Sequence, residues 1–221
     1  MERRKKEVDN MDYHSMDKED LEKKTEEWLE GLPFKKRWPG KLKMENTALL
    51  IVDMQNYFLS PDSHAYIPAA ETIIENLNHL IEHFTESKSS IIYTRTVQEE
   101  GDEGVMGEWW NDIIREGPEA KIDDRMEVNG EVMKKPRYSP FYRTDLERKL
   151  EGIKNVVIGG VMTDMCCATT ARDAFVRDYK VLFLADGTAT STEATHTSTL
   201  KALSNGIAEI ISCQRVKQRL R

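Results

Sequence analysis

Long apolar runs are missing from this 221-residue chain: none exceeds five residues, as in Ala48 to Val52, whereas crossing a bilayer takes about 20. The start, Met1-Glu-Arg-Arg-Lys-Lys, leads into further charge instead of an apolar signal core. A basic excess is missing as well. With 32 Lys and Arg against 39 Asp and Glu the net charge is −7, which is the wrong sign for neutralising phosphates along a nucleic acid. Cysteine is scarce: Cys166, Cys167 and Cys213 make no Cys-x-x-Cys pair, so a disulfide framework, a zinc ribbon and a dithiol redox site are all excluded. Free thiols of this kind fit a reducing cytoplasm. The G-x-G-x-x-G series is absent too, so Gly159-Gly160 reads as room for a turn and not as a dinucleotide fingerprint.

The chain divides in two by composition. Residues 1–46 hold 12 Lys or Arg and 12 Asp or Glu, so the whole net charge belongs to residues 47–221. The expected division is a charged, partly helical extension over 1–45 and one domain over 46–221. Within the extension, Met16 to Gly31 reads as a short helix with Leu21, Trp28 and Leu29 as its only sizeable apolar side chains. It either packs Trp28 on the main domain or on a second subunit, or it is a solvated tail.

From Thr47 on, short apolar runs alternate with helical patterns. Ala48–Val52 reads as a buried strand, and Ala70, Ile73, Ile74, Leu77, Leu80, Ile81 and Phe84 recur at steps of three and four. Further strands are expected at 90–93, 156–159, 181–184 and 207–211, with helices over 166–177 and 193–204. Strands separated by helices call for right-handed crossovers and a mostly parallel sheet covered on both faces. The expected fold class is therefore α/β, a three-layer α/β/α sandwich with a Rossmann-like sheet. In such sheets ligands sit beyond the carboxyl ends of the strands, which directs attention to Asp53, Thr94-Arg95, the segment from Gly160 and Asp186.

Three residues could form one site, and each also has a plain structural reading. Asp53 ends the first strand; a buried carboxylate there needs a partner, or it simply caps the next loop. Cys166 falls near the start of a helix, where unpaired N–H groups and the helix dipole favour thiolate, although a lone cysteine also serves as a small core residue. Cys167 diverges from it by about 100° and reads as packing, as does Cys213. Lys135 lies in a segment mixing cations with aromatics, which could equally be a solvated surface.

Jointly, Ala48-Leu-Leu-Ile-Val-Asp-Met-Gln-Asn-Tyr-Phe58, Lys135-Pro-Arg-Tyr-Ser-Pro-Phe141 and Gly159-Gly-Val-Met-Thr-Asp-Met-Cys-Cys-Ala-Thr-Thr-Ala-Arg-Asp-Ala-Phe175 resemble the isochorismatase-like cysteine hydrolases. The resemblance covers residues 46 to about 213. It implies Asp53 as general base, Lys135 as the cation between base and nucleophile, and Cys166 as nucleophile. It also implies a cis peptide at Val161-Met162 and an oxyanion hole made by the amides of Met162 and Cys166. Phe58, Arg95, Trp109, Tyr138 and Thr163 are the expected substrate contacts, with Trp110 a further candidate for the wall, and 101–117 reads as a long lid loop.

The thiol at Cys166 argues for an amidase acting on an amide, carbamoyl or ureido C–N bond of a small molecule. The stretches Arg137–Leu146 and Thr169–Asp178 look rather close to the isochorismatase branch, which cleaves a vinyl ether and is the runner-up reading. A non-catalytic binding or assembly relative and a redox sensor built on Cys166-Cys167 are the alternatives from other classes. No metal or other cofactor is expected. His64, in Asp62-Ser-His64, reads as a loop histidine, and His79-Leu-Ile-Glu-His83 sits on the solvent side of an outer helix. The expected partner is a small-molecule substrate, with no nucleic acid and no membrane; the resemblance adds a homo-oligomer, a dimer or tetramer.

Overall fold

A computed structural model describes residues 12–34 and 37–220. Six strands form one wholly parallel sheet: β1 (Thr47–Val52), β2 (Ser90–Thr96), β3 (Glu131–Lys135), β4 (Asn155–Val161), β5 (Lys180–Ala189) and β6 (Ala208–Ile211), in spatial order β3-β2-β1-β4-β5-β6. β1 and β4 are buried along their whole length, as continuous apolar strands covered on both faces must be. The chain works outward from β1 to β3, then returns to β4 on the other side of β1 and works outward again. The order reverses between β1 and β4, and beyond their carboxyl ends lies the crevice where a doubly wound sheet receives a ligand.

Helices cover both faces. α1 (Lys18–Glu30) precedes the sheet; the longer helices after it are α2 (Ile74–Glu86), α3 (Gly104–Trp110), α4 (Ala168–Phe175), α5 (Glu193–Gly206) and α6 (Cys213–Arg219). α2 buries Ile74, Leu77, Leu80, Ile81 and Phe84, the periodic positions of the sequence, each side chain contributing about 1.5–3 kcal/mol of transfer free energy. Ala70 falls in a separate one-turn helix, Ala69–Thr72, and Ile73 at the junction between the two. α1 is capped by the Asp17 carboxylate, which accepts from the Asp20 amide, and it packs against β5 with Leu21, Trp28 and Leu29 buried in the main core.

Several elements depart from the sequence expectation, among them β2, which runs through Thr96 and not only to Tyr93. β3 escapes the apolar pattern, because at the sheet edge Glu131, Val132 and Lys134 are exposed and the alternation is weak. β5 runs through Ala189, well past Leu184. The segment expected to be a lid loop contains the helix α3. The helix expected from Cys166 begins at Ala168, preceded by a π-helical turn over Thr163–Cys167.

Register brings the carboxyl ends together. Val52 lies opposite both Thr94 of β2 and Gly160 of β4, and Thr96 lies opposite Lys135 of β3. Gly160 has φ +116, and a Cβ there would stand 2.0 Å from the Val52 carbonyl oxygen. Only glycine lets β4 approach β1 this closely, beside the residue that precedes Asp53 and six positions before Cys166.

Candidate active site

Asp53 follows β1 in the left-handed region, φ 52, which Asp tolerates better than most residues. Its amide donates to the Thr94 carbonyl at 3.1 Å. Both carboxylate oxygens are occupied: Oδ1 accepts from Thr94 Oγ1 at 2.7 Å, and Oδ2 accepts from Thr96 Oγ1 at 2.8 Å and faces Lys135 Nζ at 2.7 Å. Lys135, the last residue of β3, reaches Thr96 Oγ1 at 2.7 Å, the Arg137 carbonyl at 3.0 Å and Cys166 Sγ at 3.4 Å. An ammonium has three protons, and these contacts with Asp53 make four acceptors, the sulfur being the most distant. The structure therefore brings Asp53, Lys135 and Cys166 together, with both members of the ion pair wholly excluded from solvent.

Burial and charge set the proton positions. Burial pushes the Cys166 thiol up to about 12; Lys135 pulls it down and the Asp53 charge raises it. Burial works against the Lys135 ammonium, but the Asp53 carboxylate and the sulfur outweigh it, so its pKa lies above the ordinary lysine value. The resting arrangement is a neutral thiol beside a carboxylate–ammonium pair, ready to lose its proton to a base and not already ionised.

Cys166 opens onto a cavity of about 350 Å³. Tyr57, Phe58, Trp110, Tyr138, Met162 and Met165 supply much of its wall, and Asp112 and His64 its polar rim. The Trp110 indole N–H donates to the Tyr138 hydroxyl at 2.7 Å, tying α3 to the loop after β3. The Tyr57 hydroxyl donates to Asp112 Oδ2, and His64 Nε2 stands 3.1 Å from the same oxygen. The Val161-Met162 peptide is cis, and Met162 lines the cavity beside Cys166.

Of the expected substrate contacts, Phe58 and Tyr138 line this cavity and three do not. Arg95 alternates with Thr94 and Thr96 along β2, so it points to the opposite side, where it pairs with Glu116 at 3.0 Å and the Ala120 carbonyl at 3.1 Å. Trp109 is 77% exposed, because successive helical residues diverge and it is Trp110 that faces inward. Thr163 is wholly buried and turns its hydroxyl to His196 Nδ1 at 3.0 Å, behind the turn. Sequence reasoning singles out Thr94 only as a strand end and misses Thr96, although their spacing on one side of β2 is visible in the chain. It also reads His64 only as a loop residue. Cys167 is wholly buried and absent from the wall. His79 and Glu82 are not part of this cavity, and His83 is half-buried on α2. Among the described residues no helix is long and apolar enough to cross a membrane.

The switch point of this α/β sheet gathers a buried aspartate, lysine and cysteine, and similarity to known proteins gives the class, a hydrolase, and the family. The isochorismatase domain profile matches residues 47–215, and the chain belongs to that family. It is 35% identical over 182 residues to nicotinamidase 3 of Arabidopsis thaliana, covering 78% of this chain and 88% of that one. It is 31% identical over 179 residues to enterobactin synthase component B of Escherichia coli K12, covering 78% of this chain and 62% of that one. The crystal structure of a cysteine hydrolase from Pseudomonas syringae superposes with a TM-score of 0.78 at 24% identity, over 86% of this chain and 97% of that one.

Proposed function

We propose that this hydrolase cleaves the amide, carbamoyl or ureido C–N bond of a small molecule through an acyl-cysteine intermediate. Asp53 takes the Cys166 proton as the sulfur attacks the substrate carbonyl carbon, while Lys135 balances the charge on both. The carbonyl oxygen, now an oxyanion, is received by the amides of Met162 and Cys166. Asp53 returns the proton to the departing nitrogen as the C–N bond breaks, leaving a thioester. Water, deprotonated by Asp53, then attacks that thioester and releases the carboxylate product and the thiol. The chemistry calls on no group beyond these side chains and backbone amides.

The observation that carries this reading is Lys135 Nζ within 2.7 Å of Asp53 and 3.4 Å of Cys166 in a site that opens to a cavity. The substrate reading comes from the walls. Tyr57, Phe58, Trp110 and Tyr138 form an aromatic slot, and none of its described lining residues is Arg or Lys. A flat, uncharged, ring-borne amide fits better than an anion such as isochorismate or ureidoacrylate, and the similarity to a plant nicotinamidase points the same way. The thiol likewise favours amide over vinyl ether cleavage. The test is ammonia release from nicotinamide, N-carbamoyl amino acids, ureidoacrylate-like compounds, biuret and oxamate, with isochorismate followed separately. The reading expects release from a neutral aromatic carboxamide and a fall of at least about 10³ in Cys166→Ala. Full turnover in a folded Cys166→Ala variant would overturn it.

A further inference from the structure

We infer that the segment 12–34, which lies outside the matched domain, braces the turn that carries Cys166, with Tyr13, Trp28 and His196 as positioning residues; this rests on Cys166 being the nucleophile. Two separate routes run from the arm to that turn. In the first, the Tyr13 hydroxyl oxygen accepts from the Thr190 amide at 3.2 Å, and Thr190 Oγ1 donates to Asp164 Oδ1 at 2.5 Å. Asp164 is the second residue of the turn over Thr163–Cys167, and Ser191, next to Thr190, lines the cavity.

In the second route, the Trp28 and Tyr13 rings pack on His196, with centroids 4.6 and 5.9 Å from the imidazole. His196 Nε2 lies 3.1 Å from the Ala185 carbonyl, which can only accept, so the proton sits on Nε2. Nδ1 must then accept from the Thr163 hydroxyl at 3.0 Å. The Trp28 indole donates to Glu193 Oε1 at 2.8 Å, and Lys24 Nζ stands 3.1 Å from the same oxygen, which pins α1 to the first turn of α5.

The first two residues of the nucleophile turn are thus both anchored, through one intermediary each, to side chains of the arm. A displacement of about 1 Å at a reacting group can cost roughly 10²-fold in rate, so loosening these anchors should lower turnover without abolishing substrate binding. The arm is then part of the catalytic apparatus, although it touches neither substrate nor reacting atoms.

The test uses the full chain and p-nitrophenyl acetate, whose acetyl group passes to the Cys166 sulfur with release of p-nitrophenolate and then to water. Tyr13→Phe, Trp28→Leu and His196→Leu should each lower kcat by roughly 10- to 100-fold with KM held within about threefold. His196→Asn, whose side-chain oxygen can stand in for Nδ1, should recover most of the loss, and the surface control Lys201→Ala, outside the arm, should leave kcat unchanged. Circular dichroism and thermal melting identify any variant that fails to fold; should Trp28→Leu be one, Tyr13→Phe and the His196 pair carry the test. Wild-type kcat in folded Tyr13→Phe and His196→Leu overturns the inference. So does a fall in kcat that tracks a rise in KM and a drop in melting temperature and that His196→Asn does not reverse, since that marks a general structural role. A fully active Cys166→Ala would instead overturn the nucleophile assignment beneath it.

Discussion

Lys135 Nζ lies 2.7 Å from Asp53 Oδ2, and neither side chain has any access to solvent. A pair so buried contributes little net stability by itself, but removing one member strands the other's charge and costs about 3–5 kcal/mol. Lys135→Met should therefore abolish turnover and lower denaturant stability by about that amount. Asp53→Asn combined with Lys135→Met should recover part of the stability and none of the activity. Chemical denaturation and turnover assays of the three proteins side by side check both statements.

The raised thiol pKa has a spectroscopic consequence. With burial raising the Cys166 pKa to about 12, the expectation is a proton on sulfur through the physiological range. Absorbance at about 240 nm, compared between wild type and Cys166→Ser, should show no thiolate step between roughly pH 6 and 9. A step with its midpoint below about pH 8 would mean a preformed thiolate and a lesser role for Asp53.

His196 links acid sensitivity to the same region. Its pKa is depressed from 6.5 to about 4 because it is buried among Tyr13, Trp28 and Thr163, with only the Ala185 carbonyl favouring the charged form. A depressed folded pKa means that the unfolded chain binds the proton first. Its stabilising contribution is complete above pH 6.5 and is lost as the pH falls towards 4, on the order of 3 kcal/mol in all. In His196→Asn the loss of stability over that window should be smaller than in wild type by about this amount, as measured by urea denaturation at about pH 7, 5.5 and 4.5.

The bond from Trp110 to Tyr138 closes α3 over the cavity. Trp110→Phe keeps an aromatic wall but removes the donor, and a hydrogen bond of about 0.5–1.5 kcal/mol corresponds to a rise in KM of roughly two- to tenfold with kcat little changed. Tyr138→Phe should give a similar rise, and the double variant should show less than the sum if the two residues act through one contact.

Asp53 stands out in the sequence because it ends an apolar strand and Cys166 because it falls near a helix start, but each keeps a plain structural reading there, and only the resemblance joins them into one site; Asp186 also ends an apolar run and instead accepts from the Cys213 amide. Lys135 is readable only through the resemblance, since its strand is an edge strand too polar to announce itself. Arg95 is misplaced for a reason the chain itself contains: Thr94, Arg95 and Thr96 alternate, and only one side of β2 can face Asp53. The arm lies beyond the reach of local pattern, because Trp28 meets Glu193 across 165 positions of sequence and the helix bearing His196 is rich in Thr and Ser. Periodicity records which residues a segment buries, not which distant segment it buries them against.

The most direct test is mass spectrometry of the enzyme quenched in acid during turnover of an aromatic carboxamide. A covalent adduct equal in mass to the amide less ammonia, carried on the peptide containing Cys166 and absent from Cys166→Ala, is the expected result. Undiminished hydrolysis with no adduct on that peptide, and an equally active Cys166→Ala protein, would contradict it.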